Sequence, residues 1–150
     1  MQNRIKAAAL GTISSVLVAA GAMSPAHAAT STVAVDGASC QTTGAVGSLT
    51  TPDFTSQDKR ADVTLALADS LADGHHVRIR VVAKTIGGTP INFQWRSLTT
   101  GEGTATHWNT YASHSSGLIN LGVQAARFEG DTLLNSCTDW IIDSGFAPNN

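Results

Sequence analysis

Clustered positive charge is the first thing that this sequence lacks. The 150 residues include 9 Lys and Arg against 11 Asp and Glu, and the basic residues beyond the N-terminus are scattered along the chain. Nucleic acids and anionic membrane surfaces are bound by concentrated basic patches. We therefore expect no nucleic-acid partner and no membrane-surface partner for this protein.

The sequence motifs of several enzyme classes are also missing. The chain has no Gly-x-Ser-x-Gly elbow, no His-Glu-x-x-His pair and no glycine-rich phosphate loop. Its two glutamates, Glu102 and Glu129, stand beside glycines in turn-like stretches, which disfavours the carboxylate pair of a glycosidase. The sequence thus favours a binding protein over an enzyme, with no catalytic residues and no cofactor.

A second long apolar run is absent, and the single one lies at the N-terminus. Arg4 and Lys6 precede an apolar stretch over residues 7–21, and Ala26-His27-Ala28 fits the small-x-small pattern of a signal-peptidase site. The stretch is short for a bilayer span, which needs about 20 residues. We predict a signal peptide over residues 1–28, an extracellular domain over residues 29–150 and no membrane span after cleavage. A retained anchor is the alternative.

Cysteine is scarce, since only Cys40 and Cys137 are present. Their wide separation lacks the short spacing of a thiol metal site or a redox pair, and an exported chain passes through an oxidising compartment. We predict a Cys40–Cys137 disulfide, with two free thiols as the alternative. Beyond the leader, 7 basic residues stand against 11 acidic ones, a net charge of −4 on a chain long enough for one domain.

Alternation of apolar and polar residues is the clearest pattern that is present. The apolar members of three successive runs are Val63, Leu65 and Leu67, then Val77, Ile79 and Val81, then Ile91, Phe93 and Trp95. A period of two predicts strands with one buried and one solvated face, and it places Trp95 in the core. A helix over residues 56–73 competes with the first strand, but Leu65 would lie off its apolar stripe.

Further strands are expected on both sides of these three runs. Residues 32–35 and 41–49 read as strands around an Asp36-Gly37 turn, and residues 104–111, 119–125 and 133–142 read as later strands. Phe128 falls out of phase, which suggests a bulge near residues 125–127 or the end of a strand. About eight short strands predict an all-β fold, a single antiparallel β-sandwich, Ig-like or jelly-roll-like, with one disulfide.

Two stretches resemble a group of known proteins. Residues 69–80, Asp-Ser-Leu-Ala-Asp-Gly-His-His-Val-Arg-Ile-Arg, and the later Cys137-Thr138-Asp139-Trp140 resemble small secreted proteins of actinobacteria, particularly streptomycetes. The resemblance extends over most of the chain beyond the leader. It implies a secreted β-domain of uncharacterised function, and it transfers no site residue.

The candidate ligand-binding residues come from one polar, aromatic stretch. They are His107, Trp108, Asn109, Tyr111 and His114. An aromatic ring can stack on a sugar while neighbouring amides and hydroxyls bind its hydroxyl groups. The alternative is that Trp108 packs in the core and Tyr111 is half covered. Trp140 is expected to pack near the disulfide.

The candidate metal ligands of the sequence are Asp69, Asp73, His75 and His76. Neighbouring histidines on a strand point to opposite faces and make poor zinc ligands, whereas the carboxylates suit calcium. Asp and Gly before a strand are also the ordinary composition of a turn. We predict a plain turn and no metal.

Three functions follow from these observations. The leading hypothesis is a secreted non-catalytic binding protein, whose ligand is a cell-surface or environmental polysaccharide or another extracellular protein. The second is a secreted proteinaceous hydrolase inhibitor that presents a rigid loop at residues 99–106 or 111–117. The third is a small secreted hydrolase.

Overall fold

The computed structural model describes residues 36–52 and 54–141, which belong to one compact unit. The predicted leader, the strand at 32–35 and the C-terminal tail lie outside these residues. The described part contains nine strands and no α-helix. They are β1 (Asp36–Thr42), β2 (Ala45–Thr51), β3 (Arg60–Asp69), β4 (His76–Thr85), β5 (Pro90–Asn92), β6 (Arg96–Leu98), β7 (Ala105–Ser113), β8 (Leu118–Glu129) and β9 (Thr132–Trp140). No helix here is long and apolar enough to cross a membrane.

The strands form two antiparallel sheets that share one core. The four-stranded sheet has the order β1-β2-β3-β7, and the five-stranded sheet has the order β5-β4-β8-β9, with β6 also paired to β4. Leu49 and Leu65 from the first sheet and Ile79 and Leu121 from the second are almost completely buried in the shared core. The predicted all-β sandwich is therefore confirmed.

Strand β3 decides between the two interpretations of residues 56–73. Buried and less buried side chains alternate along all ten residues of β3, from Arg60 to Asp69. Period-two burial is the pattern of a strand with one face on a core. The strand prediction is confirmed and the competing helix is wrong.

The disulfide joins the two sheets along one side of the sandwich. Cys40 on β1 is bonded to Cys137 on β9 with their Cα atoms 5.7 Å apart, as predicted. On the same side, the Ser39 N–H donates to the Asp139 carboxylate at 2.8 Å. These contacts tie the edge strand of one sheet to the edge strand of the other.

The first predicted turn is wrong. Asp36 and Gly37 lie inside β1, and the chain reverses instead at Thr43-Gly44, where Gly44 adopts a φ of +83°. Asp-Gly is a stronger hairpin signal in a sequence than Thr-Gly. The pairing of β1 with β2 nevertheless requires the reversal at Gly44, because β1 continues through both earlier residues.

The third alternating run is interrupted, which corrects the placement of Trp95. Ile91 pairs with Ala83 and Arg96 pairs with Ile79, so one extra residue lies between β5 and β6 relative to β4. Such a bulge reverses the faces of all residues that follow it. Trp95 consequently lies over Arg80 on the outer face of the five-stranded sheet, instead of inside the core.

Two other aromatic residues also lie on that outer face. Phe128 pairs with His76, and the pairing of β8 with β4 is regular from residue 120 to residue 128. The irregularity predicted for this strand occurs instead in the pairing of β8 with β9. Phe128 is thus out of phase because it faces outward. Trp140, three residues after Cys137, faces outward too, and its indole lies over Gly122 rather than near the disulfide.

Candidate functional site

Strand β7 divides the predicted ligand-binding residues between two faces. His107, Asn109 and Tyr111 point to the outer face of the four-stranded sheet, whereas Trp108 pairs with buried Leu65 and packs against the core. Tyr111 is 49% exposed. The structure thus brings three of the five candidates together and assigns Trp108 the alternative position, against the core.

The three outward residues belong to a larger polar surface, which we name the β3–β7 strip. It consists of Arg60, Asp62, Thr64, His107, Asn109 and Tyr111. The Arg60 guanidinium lies 3.8 Å from the centroid of the Tyr111 ring and 2.9 Å from an Asp62 carboxylate oxygen. The Thr64 hydroxyl donates to the Asn109 side-chain oxygen at 3.0 Å. All members of the strip except His107 line, together with Pro52, a shallow groove of about 430 Å³.

His114, the fifth candidate, lies beyond the end of β7 in a turn of its own. Its ring Nδ1 is 2.8 Å from the Ser116 hydroxyl, and its backbone N–H donates to the Lys59 carbonyl at 3.0 Å. A serine nucleophile needs a histidine base that a third group orients. No carboxylate of the described residues lies within ion-pair distance of His114, so this pair does not extend to a triad there.

The turn between β3 and β4 is built by its aspartates, as predicted. The Asp69 carboxylate accepts a hydrogen bond from the Leu71 N–H at 3.1 Å, and the Asp73 carboxylate accepts one from the His75 N–H at 3.0 Å. Aspartates at such positions commonly bond the backbone two residues on. Within residues 36–52 and 54–141, no group of three potential metal ligands is found.

Charged side chains connect this turn to the end of β8. The ring of His75 lies 3.0 Å from Asp73 and 2.9 Å from Glu129, and the second Asp73 oxygen is 2.6 Å from Arg127. Burial opposes the charged form of Asp73, but the hydrogen bonds from His75 and the charges of His75 and Arg127 outweigh it. The pKa of Asp73 therefore lies below its ordinary value.

Sequence reasoning missed a second surface, on the outer face of the five-stranded sheet. His76, Arg78, Arg80 and Lys84 alternate along β4 and therefore share this face. Three of the seven Lys and Arg residues after the predicted leader are thus gathered on one strand. The expectation of scattered cations is wrong at this place, and the period of two in residues 76–80 is the signal that could have revealed it.

Each cation on this face lies over an aromatic ring. Arg78 is 4.3 Å from the centroid of Phe128, Arg80 is 4.3 Å from that of Trp95, and the Lys84 ammonium is 4.9 Å from that of Trp140. The His76 ring also stacks on Phe128. We name this surface the cationic–aromatic face; it consists of His76, Arg78, Arg80, Lys84, Trp95, Phe128 and Trp140.

Comparison with known proteins finds no matching family model, no matching curated protein and no matching solved structure. No relative therefore supplies site residues, and a function has to be argued from the geometry of the two outer faces. Both faces are built on paired strands, which hold their side chains in fixed relative positions.

Proposed function

We propose that this chain is an extracellular, non-catalytic binding protein that holds a polysaccharide on the β3–β7 strip. The observation that carries the proposal is the half-exposed Tyr111 ring in an open groove lined by Asp62, Thr64 and Asn109. The intramolecular disulfide is compatible with an oxidising, extracellular setting.

The chemistry of the strip suits a sugar chain. Tyr111 offers an amphipathic ring, and the guanidinium of Arg60 fixes that ring from one side. The carboxylate beside the ring can accept hydrogen bonds from sugar hydroxyls, and the amide and hydroxyl groups can both donate and accept them. The groove is shallow and open, which suits a long polymer better than a small molecule that must be enclosed.

The test is a pull-down on insoluble peptidoglycan, chitin, cellulose and starch. The protein is expressed from the full-length sequence and used as the host secretes or processes it. We expect binding to one of these polymers and a loss of about tenfold or more for Tyr111→Ala, since a stacked ring contributes on the order of 1–3 kcal/mol through its buried area. Leu133→Ala is the matched control, because Leu133 is equally exposed but lies on the other sheet.

Two results would contradict the proposal. One is that the wild-type chain binds none of the four polymers. The other is that Tyr111→Ala and Leu133→Ala bind equally well to the polymer that the wild-type chain retains.

A second candidate function, hydrolase inhibition, is favoured by one loop. The segment before β7 is held by the backbone of Asp69, whose N–H donates to the Thr104 carbonyl at 3.0 Å and whose carbonyl accepts from the Gly103 N–H at 2.9 Å. The Thr100 and Thr104 hydroxyls are also bonded, at 2.7 Å. A loop fixed in this way loses little entropy on binding. Inhibition of a secreted hydrolase that Glu102→Ala weakens and Tyr111→Ala leaves unchanged would establish this function instead.

A further inference from the structure

Two of the three cations on the cationic–aromatic face are free of ionic partners. Arg78 already has polar partners, because its guanidinium donates hydrogen bonds to the His76 ring, the Gly130 carbonyl and the Asp131 carboxylate. Within the described residues, by contrast, Arg80 makes one side-chain hydrogen bond, from Nε to Gln124 at 2.7 Å, and Lys84 makes none. Both residues are partly exposed, and within the described residues the terminal nitrogens of Arg80 and Lys84 have no hydrogen-bond partner, which leaves them able to bind a ligand.

The rings hold these two cations in place on the surface. Arg80 lies over Trp95, which is packed edge-on against Phe128. Lys84 on β4 meets Trp140 from β9 across the intervening strand β8, because Gly122 has no side chain there. A Cβ at Gly122 would be 2.9 Å from the indole. A long, flexible side chain held against a ring in this way loses less entropy when it binds an anion.

The charge of the face is unbalanced. Of the described carboxylates, only Asp131 contacts a cation of this face, and the hydrogen bond and charge of Arg78 hold the pKa of Asp131 below its ordinary value. The chain as a whole is nonetheless acidic. A local excess of positive charge is electrostatically complementary to an anionic ligand, even on a protein that is acidic overall.

We propose that the cationic–aromatic face binds a linear polysaccharide that carries carboxylate groups, with Arg80 and Lys84 as its anion-binding residues. Arg80 and Lys84 are four residue steps apart on an antiparallel strand, which is roughly 14 Å, and an extended sugar chain can span this distance. Arg80 offers the paired donors that match a carboxylate, and Lys84 offers a point charge. This site is separate from the β3–β7 strip and does not depend on the function proposed for it.

The neighbouring polar groups favour a sugar over other polyanions. Gln124 and Thr138 form a cross-strand pair beside Arg80. Ser136 lies two residues before Thr138 on β9 and so shares its face. Amides and hydroxyls at this place can bind sugar hydroxyls, which a polyphosphate or an acidic peptide does not offer. Nucleic-acid sites commonly neutralise about 6–10 phosphates, and this face has three permanent cations.

The test measures binding of the full-length chain to polygalacturonate, with dextran as the uncharged sugar and polyglutamate as the carboxylate polymer without sugar. We expect polygalacturonate to bind most tightly and its affinity to fall as salt rises. Lys84→Gln and Arg80→Gln should each weaken it by about threefold to tenfold.

Lys59→Gln is the matched control, because it removes the same charge from an exposed lysine outside this face. It should bind like the wild-type chain, and so should Tyr111→Ala, which separates this site from the β3–β7 strip. Equal weakening by Lys59→Gln and Lys84→Gln would overturn the proposal, since the effect would then be one of net charge. Equally tight binding of polyglutamate, or no binding of polygalacturonate at low salt, would overturn it as well.

Discussion

Single glycines determine how closely the layers of this protein approach. Gly47 on β2 faces the five-stranded sheet beside the disulfide, where a Cβ would lie 2.7 Å from that of Ala125 and 3.1 Å from a methyl group of Ile79. Real Cβ atoms do not come so close, and both neighbours are fully buried. The two sheets can therefore keep their observed spacing at this point only without a side chain at position 47.

We predict that Gly47→Ala destabilises the fold by roughly 1–3 kcal/mol, the usual cost of an extra methyl group in a packed core. Urea denaturation followed by tryptophan fluorescence gives the free energy of unfolding. Ser48→Ala is the control, because Ser48 directly follows Gly47 on β2 and therefore points to the other face of the sheet. A Gly47→Ala variant as stable as Ser48→Ala would show that the sheets can move apart at no cost.

At the scale of elements, the turn between β3 and β4 is stabilised by interactions between charged side chains. Asp73 bonds the backbone and ring of His75 and pairs with Arg127 on β8, the strand beside β4. A tight turn of polar residues would otherwise contribute little to stability. Because the pKa of Asp73 is lower in the folded chain than its ordinary value, protonation of this carboxylate is coupled to unfolding.

The sign of this coupling gives a pH prediction. A carboxyl group with a depressed folded-state pKa stabilises the protein above its unfolded pKa of about 3.9, and the contribution is lost as pH falls through the lower, folded value. Asp73→Asn should therefore lower the melting temperature at pH 6 and reduce the further loss between pH 5 and pH 2. Melting curves of both proteins across this range provide the measurement.

Asp36→Asn is the control for this experiment, because Asp36 is exposed and makes no ion pair within the described residues. It should keep the acid sensitivity of the wild-type chain. If Asp73→Asn lost stability in acid as steeply as Asp36→Asn, the Asp73 carboxylate would not be coupled to folding.

At the scale of the whole molecule, the two sheets are joined along both sides. On one side the Cys40–Cys137 bond links β1 to β9. On the other side the Arg96 guanidinium, beside β4, donates to the Thr110 hydroxyl on β7 at 2.9 Å. The covalent link contributes more, because it closes a loop with a sequence separation of 97 and so restricts the unfolded chain.

Removal of the disulfide, by Cys40→Ala with Cys137→Ala, should lower the free energy of unfolding by about 2–5 kcal/mol. Urea denaturation of this variant and of the oxidised wild-type chain measures the difference. The dependence of unfolding on urea should become steeper, since the unlinked chain exposes more surface. A loss below about 1 kcal/mol, or free thiols in the native wild-type chain, would contradict this account.

Local patterns in the sequence determined much of this architecture. The period of two at Val63, Leu65 and Leu67 favoured β3 over the competing helix, and an export-like leader with two distant cysteines favoured the Cys40–Cys137 bond over two free thiols. These predictions depended on neighbours in the chain or on a pair without competitors, which is why the sequence could favour the correct alternative. The polar stretch at residues 107–114 likewise contained Tyr111 and Asn109 of the β3–β7 strip.

Tertiary structure alone decided which face each aromatic residue occupies. Trp95 faces outward because one extra residue between β5 and β6 reverses the alternation, and Trp108 faces inward because of its pairing with Leu65. The rings and cations of the cationic–aromatic face come from separate strands, which only the strand order β5-β4-β8-β9 makes neighbours. Register and strand order depend on pairing between distant segments, and a local sequence pattern does not contain that information.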